Sequence, residues 1–420
     1  MKKTYLIIIT ILISGITFGQ IRTNDKRGIN VFEVKKLDDY GKFDGVKVKL
    51  GGNFTQSFQT LDHSSDGVST TPLNKLVPGF NTAVANLIVG TELAEGVNLK
   101  MDVYLSARHH QETWVKGGYI QFDRLPFMKG KLFDDIMKIT TIKVGHFEIN
   151  YGDSHYRRSD NGNSMYNPFV ENNIMDAFAT EIGAEVDVFV KDFTFVGAIT
   201  NGKIKGEILE STNPDKKHYP AYIGKVAFDR QLSDLVRLRL SGSLYYTAGS
   251  VSNTLYSGDR SGSHYYGVLE TANTTSTFTS GRFSPNFSDK VTAFMGNIFI
   301  KAGGLESFTT IESATGRAKD EVSERTANQF VSDLVYRFGK SEQYWLGAKY
   351  NSVKSEMISG TTTYDAKIDR VAFSGGWFFT KNIMAKLEYV NQNYGDQFPA
   401  NDYRKNGNFK GFVLEAVVSF

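Results

Sequence analysis

Hydrophobic and polar positions alternate with a period of two along most of this chain, and stretches with a helical period are scarce. In 235–246, Leu238, Leu240 and Leu244 point one way, and Arg237, Arg239, Ser241 and Ser243 point the other. In 97–105, Val97, Leu99, Met101, Val103 and Leu105 oppose Asn98, Lys100, Asp102 and Tyr104. Val46, Val48, Leu50 and Phe54 oppose Lys47, Lys49 and Asn53, and Ile383, Leu387 and Tyr389 oppose Lys386 and Glu388. Such alternation marks strands with one apolar and one polar face. Runs of 9–13 residues are the length a tilted strand needs to cross a bilayer. Only 125–138 reads as a short helix.

Sixteen such strands are predicted between residues 45 and 420. Most connections after even strands are tight, as at Glu95-Gly96, Lys191 and Thr380-Lys381. Most after odd strands are long: 58–81, 151–177, 202–219, 248–289, 314–324, 353–365 and 392–407. An even strand number with short turns on one rim and long loops on the other predicts an all-β fold. It is a transmembrane antiparallel up-and-down β-barrel of about 16 strands, with short periplasmic turns and long extracellular loops. A β-sandwich has no reason to segregate its loop lengths. The barrel uses 45–420 as one closed sheet, so length does not imply several domains.

The first residues read as an address. Lys2-Lys3 is basic, 5–13 is apolar and Thr17-Phe18-Gly19 supplies a cleavage site, so 1–19 is expected to be a signal peptide. Residues 20–44 are polar and are expected to form a periplasmic N-terminal segment. After residue 20 no apolar run is long enough for a membrane-spanning helix.

Composition narrows the function. The 420 residues include no Cys, which removes disulfides, cysteine nucleophiles and cysteine zinc sites. Lys+Arg 48 against Asp+Glu 45 gives a net charge of +3, so no nucleic-acid partner is expected. Aromatic residues at 13% argue against disorder. A barrel of sixteen strands is wide enough for an aqueous channel. Transport is therefore the expected class, and the narrowing element and the lining charge become the questions.

Loop 151–177 follows the fifth strand and carries Arg157 and Arg158 beside Asp153, Asp160, Glu171 and Asp176, which makes it the candidate constriction. Parity places Lys47, Lys49, Lys100, Lys143, Lys225, Arg237, Arg239, Arg337, Lys349, Arg370 and Lys386 inward, against Asp102, Asp123, Asp229, Asp333, Glu388 and Glu415. Eleven bases against six acids would favour anions. The expected solute path is Arg157, Arg158, Lys100, Arg237, Arg239 and Arg370, and the expected solutes are small and polar or anionic. His146 and Glu148 fall on the lipid face of their strand, which points to a bulge or a covering subunit.

Catalytic patterns are weak. His109-His110-Gln111-Glu112 lacks the i, i+4 spacing of a helical zinc site. Asp153, Ser154 and His155 have the residue types of a triad, but a triad is defined by spatial geometry. Asp160-Asn161-Gly162-Asn163 reads as a turn rather than a Ca²⁺ loop. The expectation is no enzyme, no catalytic residues, no cofactor and no metal.

The last strand alternates Phe412, Leu414, Ala416, Val418 and Phe420 outward and resembles the assembly signal of bacterial outer-membrane proteins. This implies insertion by the outer-membrane assembly machinery, among outer-membrane lipid, in a Gram-negative bacterium. Together with 143–152 (KVGHFEINYG) and 48–54 (VKLGGNF), that strand resembles the porin superfamily that includes phosphate-selective porins, in the form of a porin-like outer-membrane protein of Bacteroidota. The resemblance implies sixteen strands, passive diffusion of small solutes and a homotrimer. The chain lacks the dense arginine ladder of phosphate-selective members. The alternatives are a barrel for hydrophobic solutes or one serving a larger export assembly, with 20–44 as a plug.

Overall fold

The computed structural model describes residues 22–420 except 38, 69–70, 106–112, 161–162, 205, 207–216, 251, 260–261 and 272–279. The expected leader 1–19 and the His109-His110 pair lie outside the described residues.

Alternation becomes a closed antiparallel sheet. Its sixteen long strands are β1 Lys47–Ser64, β2 Val84–Ala94, β3 Val97–Leu105, β4 Thr113–Phe122, β5 Thr140–Glu148, β6 Thr180–Val190, β7 Phe193–Thr200, β8 Ala221–Gln231, β9 Val236–Thr247, β10 Lys290–Ala302, β11 Leu305–Arg317, β12 Arg325–Phe338, β13 Tyr344–Ser359, β14 Thr362–Phe378, β15 Ile383–Tyr394 and β16 Asn408–Ser419. Each pairs with its sequence neighbour, and β1 closes on β16 from Asn53↔Ser419 to Ser64↔Asn408. Closure removes the free edges that lipid cannot satisfy. Beyond the last strand, Phe420 exchanges backbone hydrogen bonds with Gly52 at 2.9 and 3.0 Å, sealing the seam at the periplasmic rim.

The two faces separate as the pattern requires. Leu240, Phe294, Ile311, Leu346, Leu387 and Leu414 are exposed outward, while Arg239, Asn297, Glu312, Lys349, Lys386 and Glu415 are buried inward. An apolar exterior around a polar interior is stable only with hydrocarbon outside. Tyr336, Phe338, Tyr344, Trp377 and Phe379 run together on the outer surface at ring spacings of 4.4 to 5.9 Å, as a segment of an aromatic girdle.

Strands reach further into the expected loops 58–81 and 314–324, to Ser64 and Arg317, and three other details differ from the sequence pattern. Residues 353–365 are not a loop: β13 and β14 run on to a tight turn at 360–361, because Val353, Ala366 and Ile368 keep their inward positions to the tip. The helix is confined to Lys131–Met137, in the connection from β4 to β5. A bulge opposite Asp102 and Val103 leaves Lys116 without a partner residue and turns it inward between exposed Val115 and buried Gly117.

Candidate functional site: a polar lumen crossed by an inserted loop

The connection from β5 to β6, in its described residues 149–160 and 163–179, lies inside the barrel. Its entry turns on Gly152, with φ +70 and a Cβ position only 2.0 Å from the Met295 sulfur, so a side chain there meets both strain and a clash. Beyond the turn, inward side chains of the wall satisfy the loop backbone. Glu388 accepts from Val170 N–H at 2.8 Å, Asn351 from Ile174 N–H at 2.6 Å and Gln329 from Met175 N–H at 2.9 Å. Trp345 donates its indole N–H to the Pro168 carbonyl, and Lys386 donates to the Ser164, Asn167 and Phe169 carbonyls. Val170, Ile174 and Met175 are fully buried against the wall. A buried loop is tolerable only with such partners for its backbone.

The connection from β9 to β10 enters as well, which the sequence reading missed. Arg282 holds Glu171 at 3.0 Å, Tyr265 donates to Glu388 at 2.5 Å, and His264 lies 2.5 Å from Glu415. Burial alone would raise the Glu171 carboxyl, but Arg282, His264 and Arg370 outweigh it and hold it at about 2. Tyr151 and Tyr256, one from each loop, both donate to Glu312.

Residues 22–37 line the inner wall at the periplasmic end. Lys26 N–H donates to the Lys381 carbonyl beside β15, Asn30 donates to Glu306 on β11, and Phe32 packs edge-on against Phe299 on β10. Glu33 meets Lys225 on β8 and Arg239 on β9, and Lys36 ends on the Asp123 and Thr140 carbonyls beside β4 and β5. This strap thus runs along the inner wall from β15 past β11, β10, β9 and β8 to the β4–β5 side.

A cavity of about 200 Å³ lies between loop 149–179, the strap and the wall of β2 to β6. Its lining carries charges of both signs, Arg22, Lys100, Lys116, Lys143 and Arg158 against Glu33, Asp102, Glu148, Asp160, Glu185 and Asp187, set among apolar side chains such as Phe32, Ile88 and Phe147.

Of the six residues expected on the solute path, Lys100 and Arg158 line this cavity. Lys100 pairs with Asp102 at 3.0 Å, and Arg158 pairs with Asp176 at 2.5 Å over the Phe178 ring. Arg157 points away from its neighbour, into a slot between Phe299 and Phe308, where it meets Asn30 and Glu306. Arg237 pairs with Asp229 at 2.6 Å. Arg239 grips Asp153 with two nitrogens at 2.8 Å. Arg370 is enclosed by the Asn172 and Gly281 carbonyls and Gln392.

The excess of inward bases does not hold. Glu181, Glu185, Asp187, Glu306 and Glu312 are also buried inward, and with these five and Lys116 added the two signs balance to within one residue. Glu148 is not on a lipid face: it meets His155 of the inserted loop at 2.8 Å, beyond a kink at Gly145 with φ +140. His146 bonds Thr180 at 3.0 Å and also lines the cavity. Asp153, Ser154 and His155 go to separate partners: Arg239, Thr310 and Glu148. The Asp160 carbonyl accepts from Asn163 N–H at 2.8 Å, as in a turn.

No protein-family model matches the sequence, and no curated protein matches it. Solved structures do. The outer membrane channel DcaP of Acinetobacter baumannii matches over 90% of this chain and 99% of its own, at 10% identity and TM-score 0.53. An anion-selective porin from Comamonas acidovorans matches over 89% and 100%, at 8% identity and TM-score 0.53. OprB of Pseudomonas putida matches over 90% and 94%, at 10% identity and TM-score 0.50. The fold is porin-like. With its apolar outer face, it is that of an outer-membrane barrel of Gram-negative bacteria.

Proposed function

We propose that this chain is an outer-membrane porin through which small hydrophilic solutes diffuse passively, with loop 149–179 as its constriction. The observation that carries the reading is the cavity beside that loop, into which ionisable groups of both signs project from the wall, the loop and the strap. Ionised side chains facing a narrow lumen keep it hydrated and give a passing polar solute partners in place of water. The path is the β2–β6 side, past Arg158 and Lys100. Arg157, Arg237, Arg239 and Arg370 act from behind it, by holding the loops and the strap. The mechanism has no catalytic step.

Selectivity between small anions and cations is weak in this reading. One similar barrel is an anion-selective porin. Here the eleven-to-six bias that would have favoured anions is offset by the further inward acids. A barrel for hydrophobic solutes would need a lining without this density of charged groups, eleven of which face the cavity. Insertion by the outer-membrane assembly machinery and a homotrimer, both on the resemblance to the porin superfamily, belong to the same proposal.

Liposome swelling with uncharged sugars of increasing size tests it. The expected result is fast entry of the smallest solutes and a steep fall with size. Impermeability to all of them would overturn the reading.

A further inference from the structure

One wall of the cavity carries more negative charge than it neutralises. Lys143 on β5 donates to Glu185 at 2.6 Å and lies 3.0 Å from Asp187, both on β6. On β3, Lys100 pairs with Asp102 at 3.0 Å. Three carboxylates thus share two lysines, and all five groups line the cavity. The second oxygens, Glu185 Oε2, Asp187 Oδ1 and Asp102 Oδ1, are buried without a hydrogen-bond partner among the described residues. Glu185 is 1% exposed and Asp187 3%, so neither carboxylate can turn to bulk water. A buried carboxylate oxygen without a donor is costly, and an unmatched buried charge more so. A transient occupant that brings both a positive charge and N–H donors removes both costs.

We infer that this band is a binding subsite for the ammonium group of a small amine-bearing solute on its way through the pore. Among the described residues no three imidazole or acidic groups converge as a metal ion requires. An ammonium, with three donors and no fixed coordination geometry, suits carboxylates spread along a wall. A cavity of about 200 Å³ has room for a small amine-bearing solute. The inference rests on the porin reading and names the solute class for the same lumen.

The test uses the purified full chain in planar bilayers carrying KCl current, with two near-isosteric probes, cationic glycinamide and neutral glycolamide. Glycinamide is expected to reduce the current in the millimolar range, and glycolamide is not. Asp187→Asn should weaken that block by about tenfold or more, the worth of a charge-assisted hydrogen bond in a buried site. Glu185→Gln should act in the same direction, and it serves if Asp187→Asn does not fold. KCl steps with equal response to the two probes would overturn the subsite and leave the porin reading standing. An absence of KCl steps would remove both.

Discussion

Glu33 and Asp153 share the same two cations. Lys225 lies 2.8 Å from the Glu33 carboxylate and 2.7 Å from that of Asp153, and Arg239 reaches the two at 2.7 and 2.8 Å. All four groups are buried. One acid comes from the strap and the other from the inserted loop, so the two are locked to β8 and β9 and to each other. Burial opposes ionisation of both acids, yet the shared cations hold Glu33 at about 2 and Asp153 well below the usual range.

Breaking this cluster from one side should loosen the strap. Glu33→Gln removes one negative charge and leaves Lys225 with Asp153 alone and Arg239 with Asp153 and the more distant Asp229, at a cost on the order of 3–5 kcal/mol. The expected outcome is a lower unfolding temperature in detergent and a larger single-channel conductance. Deleting residues 24–36 should raise the conductance further. A deletion variant that folds and conducts as the full chain does would show that the strap does not narrow the lumen.

Arg157 and Arg158, adjacent in sequence, should fail differently. Arg158→Ala removes a cation from the cavity lining and should shift reversal potentials toward cations, and it also costs stability through its buried pair with Asp176 and its longer contacts with Asp160 and Asp259. Arg157→Ala empties the slot between Phe299 and Phe308 and withdraws one cation from Glu306, which keeps Arg337 at 2.9 Å. It should lower thermal stability, by roughly 1–3 kcal/mol, and leave selectivity unchanged. Equal selectivity shifts in the two variants would contradict the placement of their side chains.

The loop clamp at Glu171 sets an acid limit. Its carboxyl sits at about 2 in the folded chain against an ordinary 4.5. A depressed carboxylate contributes fully above its unfolded pKa and loses that contribution as pH falls toward the folded value. The contribution is about 3 kcal/mol. Open-channel noise and conductance should stay level from pH 7 to about 4.5, then change between there and about 2. A response that stays level down to pH 2 would contradict this role of the clamp.

The barrel was legible because each outward residue reports on lipid and each inward one on the lumen, as at Leu238 to Leu244 and Phe412 to Phe420. The inserted loop was legible in part, since its length and mixed charge marked 151–177. The strap was not. Phe32 and Glu33 look like ordinary linker residues until Phe299 and Arg239 are brought beside them by strands more than two hundred residues later. Lys116 was hidden by a bulge, which shifts parity without leaving a local signal. Glu185 and Asp187 did carry a signal: they stand two apart, between outward Ile182, Val186 and Val190, and the same parity that placed Lys143 would have placed them. Loop 248–289 was long enough to suggest insertion, but its partners Glu171, Glu388 and Glu415 belong to distant segments.

Single-channel recording of the purified full chain, beside a variant in which residues 157–175 are replaced by a short Gly/Ser linker, tests the hydrated, loop-narrowed lumen most directly. The expected result is discrete ion-conducting steps in the full chain and distinctly larger steps in the variant. A full chain that never conducts, or a folded variant whose steps are no larger, would contradict it.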